Sequence, residues 1–322
     1  MKKVVVIGGG TGLSTLLRGL RDYPIDITAV VTMTDDGASS GRLRKDFKLL
    51  PPGDVRKCIA ALSENETSLI ELFEYRFKGG LGLGGHSLGN LLITAMRDLT
   101  GTFELAIEEV SSLLNIKGRV LPSTLDDVNL VAEFDDGKTI IGESKITEYG
   151  YSHKIKMMSL TKAAKTNPRA LVAIKEADLV VIGPGSLYTS IIPNFLQQGI
   201  QQTLKESKAF VLYVCNVSTE RGETTGFTAS DHLSELKKYG VSVNAVLANN
   251  QIFTEGSGDG HIAPVKLDYG RNPELTWILA DTVDKANPLY HDSSKLAEVV
   301  KKLLANPDRF TKTLISGKII VL

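Results

Sequence analysis

Cys58 and Cys215 are the only thiols in 322 residues, and both stand in apolar surroundings. That excludes a disulfide framework and a cysteine zinc cluster, and it assigns both residues to the core. Neither sign of charge is in excess, since 37 Lys and Arg offset 37 Asp and Glu. A general nucleic-acid or acidic-membrane surface is therefore not expected, although Arg42, Arg44 and Lys45 could meet one small anion. No apolar run approaches the roughly 18 residues of a membrane span. The opening MKKVVVIGGG is charged, but its apolar stretch is too short for a signal peptide, so a soluble, cytoplasmic protein is expected. His153, His232, His261 and His291 are scattered without metal-ligand spacing, and no His-Glu-x-x-His occurs.

Glycine, by contrast, is well represented and clustered. Val4 to Ile7 is a continuous apolar run, Leu13, Leu16, Leu17 and Leu20 recur at helical spacing, and Gly8, Gly9, Gly10, Thr11 and Gly12 lie between them. A strand that turns through glycine into a helix aims unpaired backbone N–H groups and the positive end of the helix dipole at an anion. A dinucleotide fingerprint counted from Gly8 and Gly10 fails at Leu13, and the Walker A pattern fails because Gly12-Leu13-Ser14 has no lysine. Phosphate binding is expected here; ATP hydrolysis and hydride transfer are not.

Ile27 to Met33 reads as a second strand, giving a βαβ start whose ligand edge lies at the strand C-termini. Pro51, Pro52 and Gly53 force a turn, and Asp54 is placed to cap a helix through Ser63. Leu69 to Phe77, the segment after GLGLGGHSLGN, and FELAIEEVSSLLN follow as helices. From Arg119 to about Leu160 the pattern turns β-rich, with a hairpin turn at Asp136-Gly137. Alternation then resumes: strand Leu179 to Ile182, a glycine turn and a helix, strand Phe210 to Val217, a helix near Asp231 to Tyr239, a strand near Val243 to Leu247, and a late helix SSKLAEVVKKLLAN. The expected fold is a single Rossmann-like α/β domain over residues 1–322. Its parallel or mixed sheet is covered by helices on both faces, with a small β-rich insertion at about 119–160.

Several residues could carry chemistry. Asp35 and Asp36 follow the second strand, where acids meet ribose or collect Mg²⁺. Arg56 could present its donor fork to a phosphate. His86, Ser87 and Asn90 open a helix, with His86 a possible acid or base and Asn90 able to orient a hydroxyl. The turn GPGSLYTS supplies Gly183, Gly185, Ser186, Thr189 and Ser190 as a second anion cradle; Tyr188 stands where a nucleophile elbow needs glycine, so a hydrolase triad is not supported. Asn216, Thr219 and Thr224 extend the same edge, and Tyr269 could stack on a base.

Taken together, GGGTGLSTLLRGL, TDDGASSGRLR, LLPPGDVRKCIAAL, GGHSLGNLLI and GPGSLYTSIIPNFL resemble the CofD-like superfamily, and most closely its bacterial YvcK-type branch, the gluconeogenesis factors. The resemblance spans nearly the whole chain. It implies one of two activities. The transferase members move a phospholactyl group from a nucleotide-diphosphate donor to a deazaflavin with Mg²⁺, which would place Asp35, Asp36 and Asn90 on the acceptor or metal side. The YvcK-type branch binds UDP-sugars, notably UDP-N-acetylglucosamine, and supports cell shape and envelope synthesis during gluconeogenic growth. For that branch, Gly8 to Gly12 and Gly183 to Ser190, including Leu187, face the phosphates, and Tyr269 and Arg309 serve as base and phosphate contacts. GASSGRLRKDFKLLPPGDVRK after Asp36 replaces the deazaflavin-contacting stretch and argues against deazaflavin transfer. The expected partners are a nucleotide sugar, envelope-synthesis or shape-determining proteins and further copies of the same chain. Nucleic acid and a membrane span are not expected. A threonine near the C-terminus, Thr311 or Thr313, is a candidate for phosphorylation.

Overall fold

The computed structural model describes residues 1–64, 68–251, 260–305 and 317–322. Its strands are β1 (Lys2–Gly8), β2 (Ile25–Val31), β3 (Arg119–Pro122), β4 (Leu130–Phe134), β5 (Thr139–Ile141), β6 (Ile155–Leu160), β7 (Leu179–Ile182), β8 (Phe210–Val214), β9 (Ala245–Asn249), β10 (Thr276–Ala280) and β11 (Ile319–Val321). The helices run α1 (Gly10–Leu20), α2 (Ala38–Phe47), α3 (Gly53–Leu62), α4 (Ser68–Glu74), α5 (Leu88–Thr100) and α6 (Phe103–Leu113) in the first half. Then come α7 (Glu143–Tyr149), α8 (Pro168–Glu176), α9 (Ile192–Phe195), α10 (Ile200–Glu206), α11 (Ala229–Lys238) and α12 (Ser293–Ala305).

Eight strands form one sheet in the order β11-β10-β9-β8-β7-β1-β2-β3. Every pairing in it is parallel. The sheet is therefore parallel rather than mixed, as strands buried on both faces require, and β1 shows it directly: Val4 to Gly8 are all buried. Alternation then sorts the side chains. Val4 and Val6 pack with Leu13, Leu16 and Leu17 of α1, Val55 and Ile59 of α3 and Leu296 of α12. Val5 and Ile7 share the other face with Ile174 of α8, Leu233 of α11 and Ile191, which stands just before α9. Each fully buried leucine of α1 contributes about 1.5–3 kcal/mol, so Leu16→Ala is a core-breaking change of about 2–5 kcal/mol. Cys58 and Cys215 are buried free thiols, one on each face.

The β-rich stretch expected from Arg119 divides in two. Arg119–Pro122 joins the main sheet as a parallel edge strand beside β2. The antiparallel insertion proper is the three-stranded sheet β5-β4-β6, with α7 between β5 and β6. Its hairpin turns at Asp136-Gly137 as expected, with Gly137 at φ +83° where only glycine sits without strain. β1 is the first strand in sequence and lies mid-sheet between β2 and β7, so the chain winds outward from it in both directions. Such a reversal of strand order opens a crevice at the strand C-termini.

Candidate functional site

A cavity of about 550 Å³ occupies that crevice. On one wall stand Gly10, Thr11, Gly12 and Thr15 from the start of α1; facing them are Pro184, Gly185, Ser186, Thr189 and Ser190. The two glycine turns touch. A Cβ at Gly12 would lie 2.6 Å from the carbonyl oxygen of Pro184, and one at Gly10, which sits at φ +66°, would lie 3.3 Å from Ser190 Oγ. Asn216, at the end of β8, pins the second turn by accepting from Gly185 N at 3.2 Å and donating to Gly185 O at 2.9 Å. Thr219 lines the cavity, while Thr224 is buried behind it and donates no surface, its hydroxyl accepting from Glu220 N at 2.8 Å. Gly8 ends β1 and Gly183 follows β7 directly, both behind the turns, with Gly183 N donating to Ile7 O at 2.8 Å. Leu187 is wholly buried in the apolar core and does not face the cavity.

The adjacent aspartates part company. Asp35 lines the cavity and accepts from Gly37 N at 2.8 Å. Asp36 turns away: its Oδ1 accepts from both N and Oγ of Ser144, at 2.9 and 2.8 Å, at the start of α7. The carboxylate that meets Asp35 is instead Asp54. It does not cap α3, because Pro52 holds the cap position and no side chain caps there; Asp54 lies one residue inside the helix and is buried. Gly53 makes this possible, since a Cβ there would sit 2.5 Å from Asp35 Oδ2 and Ser40 Oγ. Gly9 does the same from above, its absent Cβ leaving room for Asp54 Oδ2 at 2.8 Å. Lys57, one turn on, donates to Asp54 at 3.0 Å and reaches the cavity, whereas Arg56 is buried beside Glu74 and does not.

Three further acids complete the wall: Glu143 from α7, and Glu220 and Glu223 from the loop after β8. Glu220 accepts from Ser186 Oγ at 2.9 Å. Glu223 accepts from Tyr188 N at 2.9 Å and Thr189 Oγ1 at 2.6 Å. Among the described residues Lys57 and Arg221 are the Lys and Arg side chains that line the cavity, so carboxylates outnumber them there. Burial, and then Asp54, raises the pKa of Asp35. Burial together with Asp35, Asp54 and Glu223 pushes Glu143 well above its usual range. Burial raises Glu220, and burial with the neighbouring Glu220 raises Glu223 to about 8. His291, on the same wall, is held down to about 4 by burial and is neutral at pH 7.

Other expected residues lie elsewhere. His86 and Asn90 come together through Ser39, whose Oγ is 3.0 Å from His86 Nδ1 and accepts from Asn90 Nδ2 at 2.9 Å. All three are buried and none lines the cavity, so this polar knot ties α2 to α5. Ser87 caps α5 by accepting from Asn90 N. Tyr269 leans toward Trp277, with ring centroids 6.4 Å apart, and is absent from the cavity wall. The aromatic rings that do line it are Tyr151 and Tyr290; Arg221 stacks over Tyr151 at 4.6 Å. Arg309, Thr311 and Thr313 lie outside the described residues.

The insertion and the loop after β8 meet backbone to backbone. A Cβ at Gly150 would collide with Gly222 O, and one at Gly222 with Thr147 O. That seam holds Glu143, Thr147 and Tyr151 opposite Glu220, Arg221 and Glu223 across one cavity. A divalent cation fits this donor set in one particular way. Asp35, half-buried, and Asp54, buried, are neighbours that share Lys57, yet among the described residues no three cavity carboxylates bring oxygens within 4.8 Å of one another. Mg²⁺ characteristically takes one or two carboxylates and completes its shell with phosphate oxygens and water.

Comparison with known proteins gives the family. The family model described as 2-phospho-L-lactate transferase CofD matches residues 4–283. The gluconeogenesis factor of Halalkalibacterium halodurans is 52% identical over 298 residues, spanning 92% of this chain and 86% of that protein. The gluconeogenesis factor of Bacillus subtilis is 48% identical over 252 residues, 77% of this chain and 79% of its own. A crystal structure of a Bacillus halodurans protein superposes with a TM-score of 0.89 at 45% identity, covering 93% of this chain and 99% of that one. With the family model matched over most of its length and these relatives alongside, the chain belongs to the CofD family, among the members that carry the name gluconeogenesis factor.

Proposed function

We propose that this protein binds a nucleoside-diphosphate sugar, UDP-N-acetylglucosamine, in the crevice between β1 and β7 and acts as a regulator of envelope synthesis and cell shape during gluconeogenic growth. The observation that carries the proposal is the pairing of two touching glycine turns with a wall rich in carboxylates. The turns offer backbone N–H groups and a helix start to phosphate oxygens. The acids would repel a bare diphosphate, so Mg²⁺ held by Asp35, with Asp54 beside it, would enter with the ligand and neutralise its charge. A volume of about 550 Å³ suits a ligand of nucleotide-sugar size. Tyr151 and Tyr290 are then better placed for the base than Tyr269. The regulatory part of the reading rests on the relatives' name.

One observation favours a second reading, transfer from a nucleotide-diphosphate donor. Glu223 is a carboxyl whose pKa, raised to about 8, suits a general acid or base near neutral pH. Direct attack by a bound acceptor hydroxyl would need no protein nucleophile. Calorimetric titration with UDP-N-acetylglucosamine, with and without Mg²⁺ and against NAD and GTP, separates the readings. Saturable, Mg²⁺-strengthened binding without turnover supports the regulator; selective binding of a different nucleotide diphosphate overturns it and directs work to an acceptor.

A further inference from the structure

The small sheet carries a cluster of donor atoms beside Tyr149 at the C-terminal end of α7, whereas Glu143 of the cavity wall stands at its N-terminal end. Asp135 and Asp136 lie at the β4–β5 turn, and His153 lies in the segment between α7 and β6. Among the described residues these form the one group of three His, Cys, Asp or Glu side chains whose ligand atoms all fall within 4.8 Å of one another. His153 Nδ1 is 3.4 Å from Asp135 Oδ1 and 3.9 Å from Asp136 Oδ2. Ligands about 2.1 Å from a tetrahedral ion stand about 3.4 Å apart, so little movement closes this set around a metal.

Tyr149, the last residue of α7, prearranges two of the three donors. Its ring stacks on the imidazole with centroids 4.5 Å apart and planes 10° from parallel. Its hydroxyl donates to Asp136 Oδ2 at 2.7 Å. Phe134 supports the same ring edge-on at 4.9 Å. The imidazole is therefore fixed in rotation and the carboxylate in direction, the service that outer partners give to metal ligands. The Tyr149 hydrogen bond also holds Asp136 below the ordinary carboxylate range, so it is a ready anion. The ammonium of Lys138 stands 3.6 Å from Asp136 Oδ2 as a mobile competitor on an exposed side chain.

From this geometry we propose that Asp135, Asp136 and His153 form a binding site for a first-row divalent metal ion of the Zn²⁺ class. Two carboxylates and one imidazole leave a coordination position for water, and the imidazole selects such an ion over Mg²⁺. The ligands come from before and after α7, so the metal would clamp the β4–β5 turn to the segment that follows Tyr151. A plain ion pair between His153 and the two aspartates is the competing account of the same atoms.

The experiment is calorimetric titration of the tag-free, chelator-treated full chain with ZnCl₂, using MgCl₂ as control. The expected result is one saturable Zn²⁺ site, lost in His153→Ala, weakened about tenfold in Tyr149→Phe and tightened in Lys138→Ala, which removes the competitor. Far-UV circular dichroism of each variant shows whether it is folded. Folded His153→Ala with undiminished Zn²⁺ stoichiometry would overturn the proposal, as would wild-type protein that shows no saturable Zn²⁺ heat. Lys138→Ala distinguishes the accounts independently of any lost fold, because an ion-pair cluster gives it no reason to bind metal more tightly.

Discussion

The two ends of the main sheet treat charge in opposite ways. At the strand N-termini, around a smaller cavity of about 280 Å³, side chains meet in pairs. Lys3 holds Glu176 at 2.7 Å, Lys2 holds Asp178 at 2.8 Å and Arg119 holds Asp26 at 3.2 Å. The Lys3 hydrogen bond and charge keep Glu176 below its ordinary range, and Glu176 does the reverse to Lys3. At the strand C-termini, Asp35, Asp54, Glu143, Glu220 and Glu223 line one cavity with Lys57 and Arg221, and the pKa values of Asp35, Glu143, Glu220 and Glu223 are all raised. Paired charges at an exposed edge are a finished surface, whereas crowded carboxyls in a crevice await a proton or a cation. The polarity of a parallel sheet, with ligands at its C-terminal edge, thus reappears as a polarity of electrostatic completeness.

Five substitutions test that contrast. Gly12→Val is the most disruptive, because its Cβ would press within 2.6 Å of Pro184 O and drive the glycine turns apart. It should cost about 1–3 kcal/mol in urea denaturation and abolish nucleotide-sugar binding. Wild-type binding by a folded Gly12→Val protein would show that the turns do not form the ligand cradle.

A pH series comes next. Glu223 binds its proton more tightly folded than unfolded, its pKa rising from an ordinary 4.5 to about 8. The folded state therefore carries extra protons between those values, and its stability falls as pH rises through that window. Glu223→Gln should flatten this slope by an amount on the order of 1 kcal/mol, read from melting temperatures between pH 5 and 8.5. An unchanged slope would mean that Glu223 is already ionised in the fold.

Asp35→Asn and Asp36→Asn separate two neighbours that sequence treats alike. The first should weaken Mg²⁺-dependent ligand binding about tenfold, close to 1.4 kcal/mol, and the second should leave it near wild type. Equal losses would return Asp36 to the site. At the paired end, Glu176→Gln should shift stability by less than about 1 kcal/mol and leave ligand affinity alone. A large effect there would dissolve the distinction between the two edges.

Much of the fold is legible in the chain because its signals are local. Leu179–Ile182 is a strand with the limits its apolar run suggests, and Leu13, Leu16, Leu17 and Leu20 mark the buried stripe of α1. Thr276–Ala280 is less legible, since the short apolar run Trp277 to Ala280 suits a strand or a core helix until β9 pairs with it. The site divides in the same way. Gly10, Gly12, Gly185 and Ser190 announce themselves by strand-turn-helix context, and they line the cavity. Asp54 carries the local signature of a helix cap, and only the end of β2, brought alongside through Gly53, makes it a cavity acid. Glu143, Glu220 and Glu223 have no local signature, because what distinguishes them is one another's proximity across distant loops. His153 likewise reads as scattered until the hairpin brings Asp135 and Asp136 beside it.

The contact between Gly150 and Gly222 bears on descent as well as architecture. Each position leaves no room for a side chain while the other loop stays where it is. Among related sequences the two positions should therefore change together, or alongside a length change in one loop, and a lone substitution at either should mark a lineage whose insertion has shifted.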